Sequence, residues 1–212
     1  MDKILNMVEL GKIERPEAKN YKEKRKIYFV PNIFLIENEE YKELFNRYWQ
    51  QVSVQVDRLE IAGVVNKIFC EILTVEEEKP LLDIVSSFNN HLKSIIEKKM
   101  EKGATLIPLE EKNIFFQYLD WGKCLSVIST QEVFDKIYPL YRESYQKRLD
   151  KITEIIDKNL AEGEAGLLIL KDEDRLSLVL PTDIELFLVI PPAFDDINKW
   201  FRQRFASEEN IP

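Results

Sequence analysis

Apolar and polar positions follow two different periods along this chain, and the clearest pattern lies between residues 129 and 205. Ser129 and Glu132 have the spacing of a capping box. Apolar side chains then recur at Phe134, Tyr138, Tyr141, Tyr145, Leu149, Ile152, Ile156 and Leu160, the three-and-four spacing of one helix face. The pattern predicts a helix of about 30 residues, roughly 45 Å at 1.5 Å per residue, stopped by Gly163 and Gly166. A chain of this length has a radius of gyration near ~17 Å, so such a helix crosses the whole domain, bends at Pro139 or projects. After it come GLLIL, a charged turn at KDED, LSLVL and DIELFLVI, all with strand character. Pro191-Pro192 then introduces a short helix with Phe194, Ile197, Phe201 and Phe205 on one face.

Earlier in the chain, KIYFV and NIFLI predict two strands around a Pro31-Asn32 turn. Asn38 is placed to cap a first long helix whose stripe runs Tyr41, Leu44, Phe45, Tyr48, Val52, Val56 and Leu59, with Gly63 ending it. VVNKIFCEILT predicts a strand. Beyond the acidic TVEEEKP loop, Pro80 opens a second long helix through Leu81, Ile84, Val85, Phe88, Leu92, Ile95 and Ile96, with Gly103 at its C-terminal cap. ATLIPL reads as a strand placed at an edge by Pro108, and IFFQYL and KCLSVI read as strands flanking a turn at Asp120-Trp121-Gly122. The sum is an α/β or α+β fold, a mixed β-sheet packed with three long amphipathic helices and a short C-terminal helix. Residues 1–24 form a weakly patterned N-terminal segment, 25–206 one globular domain with its long helix at about 130–161, and 207–212 a tail.

Composition narrows this picture. The 45% hydrophobic and 11% aromatic content argues against disorder, and 32% charged residues with six glycines suits a helix-rich protein without a membrane span. The net charge of −8 disfavours nucleic acid, although Lys19, Lys22, Lys24, Arg25 and Lys26 form a local basic arm. A solvated approach to the first strand is the commoner use of such a run. Cys70 and Cys124 lie in apolar surroundings without a CxxC spacing and read as two buried free thiols; with no cleavable apolar leader, the expected location is the cytoplasm.

The search for chemistry yields few motifs. A single His91 excludes a histidine-based metal cluster within one chain, and neither GxGxxG nor GxxxxGK is present. Asp172, Glu173 and Asp174 crowd one turn but lack calcium-loop spacing. No cofactor, metal or catalytic residue is assigned on sequence. The residues singled out for a partner or ligand are Asp120 and Trp121 at the supposed turn, and Tyr141, Arg142, Tyr145 and Arg148, which bring cationic and aromatic groups together on the long helix.

Three functions follow as expectations. The first is a non-enzymatic cytoplasmic interaction or regulatory protein that binds a protein partner or itself, including as an oligomeric subunit of a larger assembly. The second is a carboxylate-based hydrolase acting on a phosphoester or another polar bond, with Glu71, Glu110, Glu111 and Asp120 as candidates because they flank strand ends. The third is an RNA- or ribosome-associated accessory protein using the basic arm and the long helix. Convergence of the carboxylates in one cleft favours the second over the first.

Overall fold

The AGLLIL run has no polar position to turn toward water, and it forms a strand, β4 (Ala165–Leu170), buried at every residue. In the computed structural model, which describes Tyr21, residues 23–75 and residues 79–208 except for the side chains of 205–208, β4 is the middle of a five-stranded sheet. The other strands are β1 (Arg25–Pro31), β2 (Val65–Thr74), β3 (Thr105–Glu110) and β5 (Ile184–Leu188), in the order β3-β2-β4-β1-β5. The α/β class read from the alternation of strands and helices is the class found. Every pairing among the described strands is parallel, where a mixed sheet was expected. Parallel strands need a crossover between them, and the long helices supply it.

Those crossovers cover both faces of the sheet. Tyr28, Val30, Ile68 and Cys70 point into one core with α1 (Glu39–Leu59), α2 (Leu81–Phe88), α3 (Asn90–Met100) and α7 (Pro192–Glu208). Ile27, Phe29, Phe69 and Leu168 point into the other, against Leu149, Ile152 and Ile156 of α5 (Gln131–Asn159). Strand residues alternate between the faces, so KIYFV is apolar throughout because neither face meets water. The long helix is present, and its helical geometry runs through Pro139. Its buried residues, Ser144, Arg148, Leu149, Ile152 and Ile156, run from its middle toward its C-terminal end. Its first half pairs with α4 (Lys112–Ser126), where Gly122 sits under the Tyr141 ring.

Several expected elements differ. IFFQYL and KCLSVI are not strands: the first lies within α4 and the second forms its last turn and the two residues after it, and the start of α4 is capped by the Glu111 carboxylate accepting from the N–H groups of Asn113 and Ile114. Asp120-Trp121-Gly122 is therefore mid-helix, not a turn, and Cys124 is exposed rather than buried, whereas Cys70 is buried. β-Propensity misled because aromatic and β-branched residues also pack α4 against α5 at Phe115 and Tyr118. NIFLI leaves the sheet after the Asn32 N–H bonds Leu170 O, and LSLVL is irregular chain following α6 (Asp172–Arg175), a helical turn at the expected KDED bend. The second long helix is two helices, divided at Asn89, whose side chain accepts from Leu92 N and restarts the helix as α3. No capping box forms at Ser129; Thr130 precedes the helix and Glu132 pairs with Lys136.

The Lys19 and Lys22 part of the basic arm and most of the weakly patterned N-terminal segment lie outside the described residues, as does the side chain of Phe205. Lys24 is paired with Glu185, Arg25 with Asp183 and Asp157, and Lys26 is buried, so the described end of that arm is spent within the domain. Among the described residues no helix is long and apolar enough to cross a membrane.

Candidate functional site at the carboxyl edge of the sheet

Parallel strands deliver their C-terminal ends to one edge, and in open α/β sheets that edge is where crevices for ligands form. Here it gathers Asn32 after β1, Glu71 in β2, Glu110 at the end of β3 and Lys171 after β4. From above, α5 lowers Arg148 among them. Its Nε and Nη2 donate to the Glu110 carboxylate at 3.0 and 2.6 Å, and its Nη1 donates to Asp174 Oδ2 at 2.6 Å. A longer contact of 3.5 Å reaches Glu71 Oε2. The guanidinium also lies 5.0 Å from the centre of the Tyr118 ring and 5.7 Å from that of Phe115. Glu71, Glu110, Arg148 and Asp174 are each at most 3% exposed.

Three carboxylates thus share one guanidinium, and they are not held alike. Glu110 receives the planar fork of Arg148 and the backbone N–H of Ile72; burial still raises its pKa above the ordinary carboxylate value. Burial disfavours the Arg148 charge, but Glu110 and Asp174 more than restore it and hold the group above its ordinary value. Glu71 has the weakest compensation. Its Oε1 accepts from Asn32 Nδ2 at 2.7 Å, but Arg148 is distant, and burial pushes its pKa from 4.5 up to about 7 despite Asn32, Arg148 and Lys171. A buried carboxyl that titrates near neutrality can hold or release a proton under ordinary conditions.

The backbone next to Glu71 is strained. Ile72 has φ of 75°, a left-handed conformation that a β-branched residue rarely adopts, and the β2–β3 register shifts between Cys70 and Thr74. This bulge turns the Ile72 N–H onto Glu110 and leaves both Glu71 and Ile72 lining a cavity of about 450 Å³. Phe34, Ile84, Phe115, Phe116 and Leu119 make most of its wall; Thr74, Arg148 and Lys171 supply polar groups. A neighbouring cavity of about 310 Å³ is lined by Tyr141, Arg142, Tyr145, Glu173, Asp174 and Ser177, and it shares Tyr118 and Lys171 with the first. A hollow of about 380 Å³ at the opposite edge of the sheet is lined by Lys24, Arg25, Asp183 and Glu185, whose charges already pair with one another.

Of the six residues singled out in the sequence, four converge here. Arg148 organises the carboxylates, and Tyr141, Arg142 and Tyr145 line the smaller cavity. Asp120 and Trp121 do not: Asp120 is exposed on α4 and bonds Lys123, and neither residue lines a described cavity. Glu71 and Glu110 meet in the crevice, whereas Glu111 caps α4. Asn32, Tyr118 and Lys171 were missed, and Asp174 was weighed only as part of an acidic turn. A signal existed for the pair at the centre: Arg148 interrupts an apolar helix face beside Leu149, and Glu71 interrupts the apolar run from Ile68 to Leu73. Among the described residues no three His, Cys, Asp or Glu side chains are arranged to hold a metal ion.

No family model, curated protein or solved structure matches the chain.

Proposed function

We propose that the protein binds a small molecule, through an apolar or aromatic part, in the crevice at the carboxyl edge of the sheet, and that Glu71 exchanges a proton with it. The observation that carries this reading is a single under-compensated carboxyl, buried on Asn32, facing an apolar cavity of about 450 Å³. The cavity falls within the ~300–1,000 Å³ of small-molecule sites, and its composition is that of such sites, apolar walls with a few polar groups. Convergence of Glu71 and Glu110 supports general acid–base chemistry over the interaction protein favoured by sequence alone. Glu110 and Asp174 are tied to Arg148, so they hold the arginine and shape the field, and Glu71 is the group free to act.

The test is a thermal-shift screen of a metabolite panel, followed by titration calorimetry of any hit in two buffers of different ionisation enthalpy. Binding with net proton exchange that disappears in Glu71→Gln is the expected result. Absence of hits, or hits unaffected by both Glu71→Gln and the cavity-filling Leu119→Trp, overturns the proposal.

A second reading rests on the α4–α5 hairpin, which carries Val127 (78% exposed), Val133 (45%) and Leu140 (40%) beyond the sheet. These would suit self-association or a protein partner. Light scattering at several concentrations tests the self-association form, which a constant mass of 25.1 kDa excludes.

A further inference from the structure

We infer that the two cavities are one bipartite site for a nucleoside monophosphate, the base entering the larger chamber and the phosphate the smaller. This rests on the small-molecule reading above and assigns the ligand class.

The two chambers have opposite chemistry and a common wall. In the larger one, Phe34, Phe115, Phe116 and Tyr118 offer ring faces and edges to a planar group. At its polar side Glu71 Oε2 has only the 3.5 Å contact to Arg148, so it can accept from a ring N–H. An aromatic heterocycle with a donor edge meets both conditions at once, whereas a purely apolar ring leaves Oε2 of the buried carboxyl with only the long Arg148 contact.

The smaller chamber is lined by two cations, Arg142 and Lys171, and two carboxylates, Glu173 and Asp174. Arg142 and Lys171 have no carboxylate within ion-pair distance among the described residues; the nearby Lys147, Arg148 and Arg175 each have one. Asp174 is bonded by Arg148, which it shares with Glu110, so the two cations without an ion pair face Glu173 and a partly compensated Asp174. Instead of an ion pair, each cation rests near an aromatic ring: Arg142 lies 5.9 Å from the Tyr145 ring centre, and Lys171 lies 5.9 Å from that of Phe34. Tyr141, Tyr145 and Ser177 add hydroxyl groups. A compact anion with several acceptor oxygens is the complement of such a set. Lys171 and Tyr118 belong to both chambers, so a ligand that fills both passes beside them with its anion within reach of Lys171.

The experiment is titration calorimetry of the full chain with the four common nucleoside 5′-monophosphates, the matching nucleosides and inorganic phosphate. At least one monophosphate should bind about tenfold or more tightly than its nucleoside, the gain expected of charge-assisted hydrogen bonds to phosphate. Arg142→Glu and Lys171→Gln should bring that monophosphate down to the affinity of the nucleoside. Arg142 is exposed, so its variant leaves folding intact. Glu71→Gln should weaken both members of the pair by the same factor. Equal binding of the two members, no binding of either, or indifference to both cation variants overturns the inference. If the metabolite screen instead yields an uncharged molecule that exchanges a proton with Glu71, the small-ligand reading stands while the bipartite nucleotide site falls.

Discussion

Arg148 grips Glu110 through two donors, Nε at 3.0 Å and Nη2 at 2.6 Å, with both side chains almost wholly buried. The pair fastens the middle of α5 to the last residue of β3, while Nη1 reaches Asp174 beyond β4. One guanidinium therefore ties together a helix and the ends of two strands on either side of β2. Glu110 and Asp174 thereby take most of its charge, which leaves Glu71 the least compensated of the three carboxylates.

Removing that guanidinium leaves Glu110 and Asp174 buried with no counter-charge. Arg148→Met should destabilise the protein by about 3–5 kcal/mol, the usual cost of breaking a buried pair from one side. Arg148→Lys should recover little, because a point charge cannot reproduce the fork on Glu110. Arg148→Met combined with Glu110→Gln should cost less than the sum of the two single changes. Urea unfolding of the four proteins measures this coupling, and strict additivity would contradict the network described.

Gly166 tests the core beneath the site. A Cβ at this position would stand 2.8 Å from Ile27 Cδ1 and 2.9 Å from Phe69 Cε2, closer than carbon atoms approach in native cores. Gly166→Ala should therefore cost about 1–3 kcal/mol through overpacking, against the gain that alanine normally brings by stiffening the unfolded chain. Ile27→Val should recover part of the loss by withdrawing that methyl group, again read by urea unfolding.

Much of this architecture could be read from residue order, and the unread parts have physical causes. The α5 stripe from Tyr145 to Ile156 was legible because helical periodicity over about three turns has no strand equivalent. Asn38 was legible as a cap because its side chain acts locally, accepting from Tyr41 N. α4 was not, because the aromatic residues that stack on α5 are also the residues that favour strands. The crevice was half legible. Arg148 stands out as a charge on an apolar helix face and Glu71 as one in an apolar run, but Asn32, Glu110 and Asp174 look like ordinary loop and strand-end residues. Only the parallel register brings those strand ends to one edge, and a register is set by pairing across more than a hundred residues of sequence.

The raised pKa of Glu71 has a consequence for stability. The folded protein holds this proton up to a pH of about 7, while the unfolded chain releases it near the ordinary glutamate value of 4.5. The folded state therefore binds more protons between those values, and stability falls as pH rises through that window. The loss due to this group is about 3 kcal/mol, fully present as stabilisation below the unfolded pKa and gone above the folded one. Glu71→Gln keeps the bond with Asn32 and cannot ionise. The difference in unfolding free energy between the variant and the parent protein should accordingly widen in favour of the variant from about pH 5 to about pH 8. A pH-independent difference would mean that Glu71 is already ionised in the acidic protein.

Ile72 offers the sharpest test of whether the crevice is held under strain. Its φ of 75° is natural for glycine and costs an L-residue about 1–2 kcal/mol, yet here it aims a backbone N–H at Glu110 and sets Glu71 facing the cavity. In an ordinary strand, glycine is less stable than alanine. At this position the order should invert: Ile72→Gly should be more stable than Ile72→Ala by about 1 kcal/mol, because alanine retains the Cβ clash and fills none of the space left by isoleucine. Both variants should keep the bulge, and hence the titration of Glu71, if Glu110 and Arg148 hold the turn in place. Comparison of their urea midpoints, with the Glu71 carboxyl followed by NMR, reads both effects. The usual strand order, alanine above glycine, would show that Ile72 relaxes to an extended conformation and that the bulge does not shape the site.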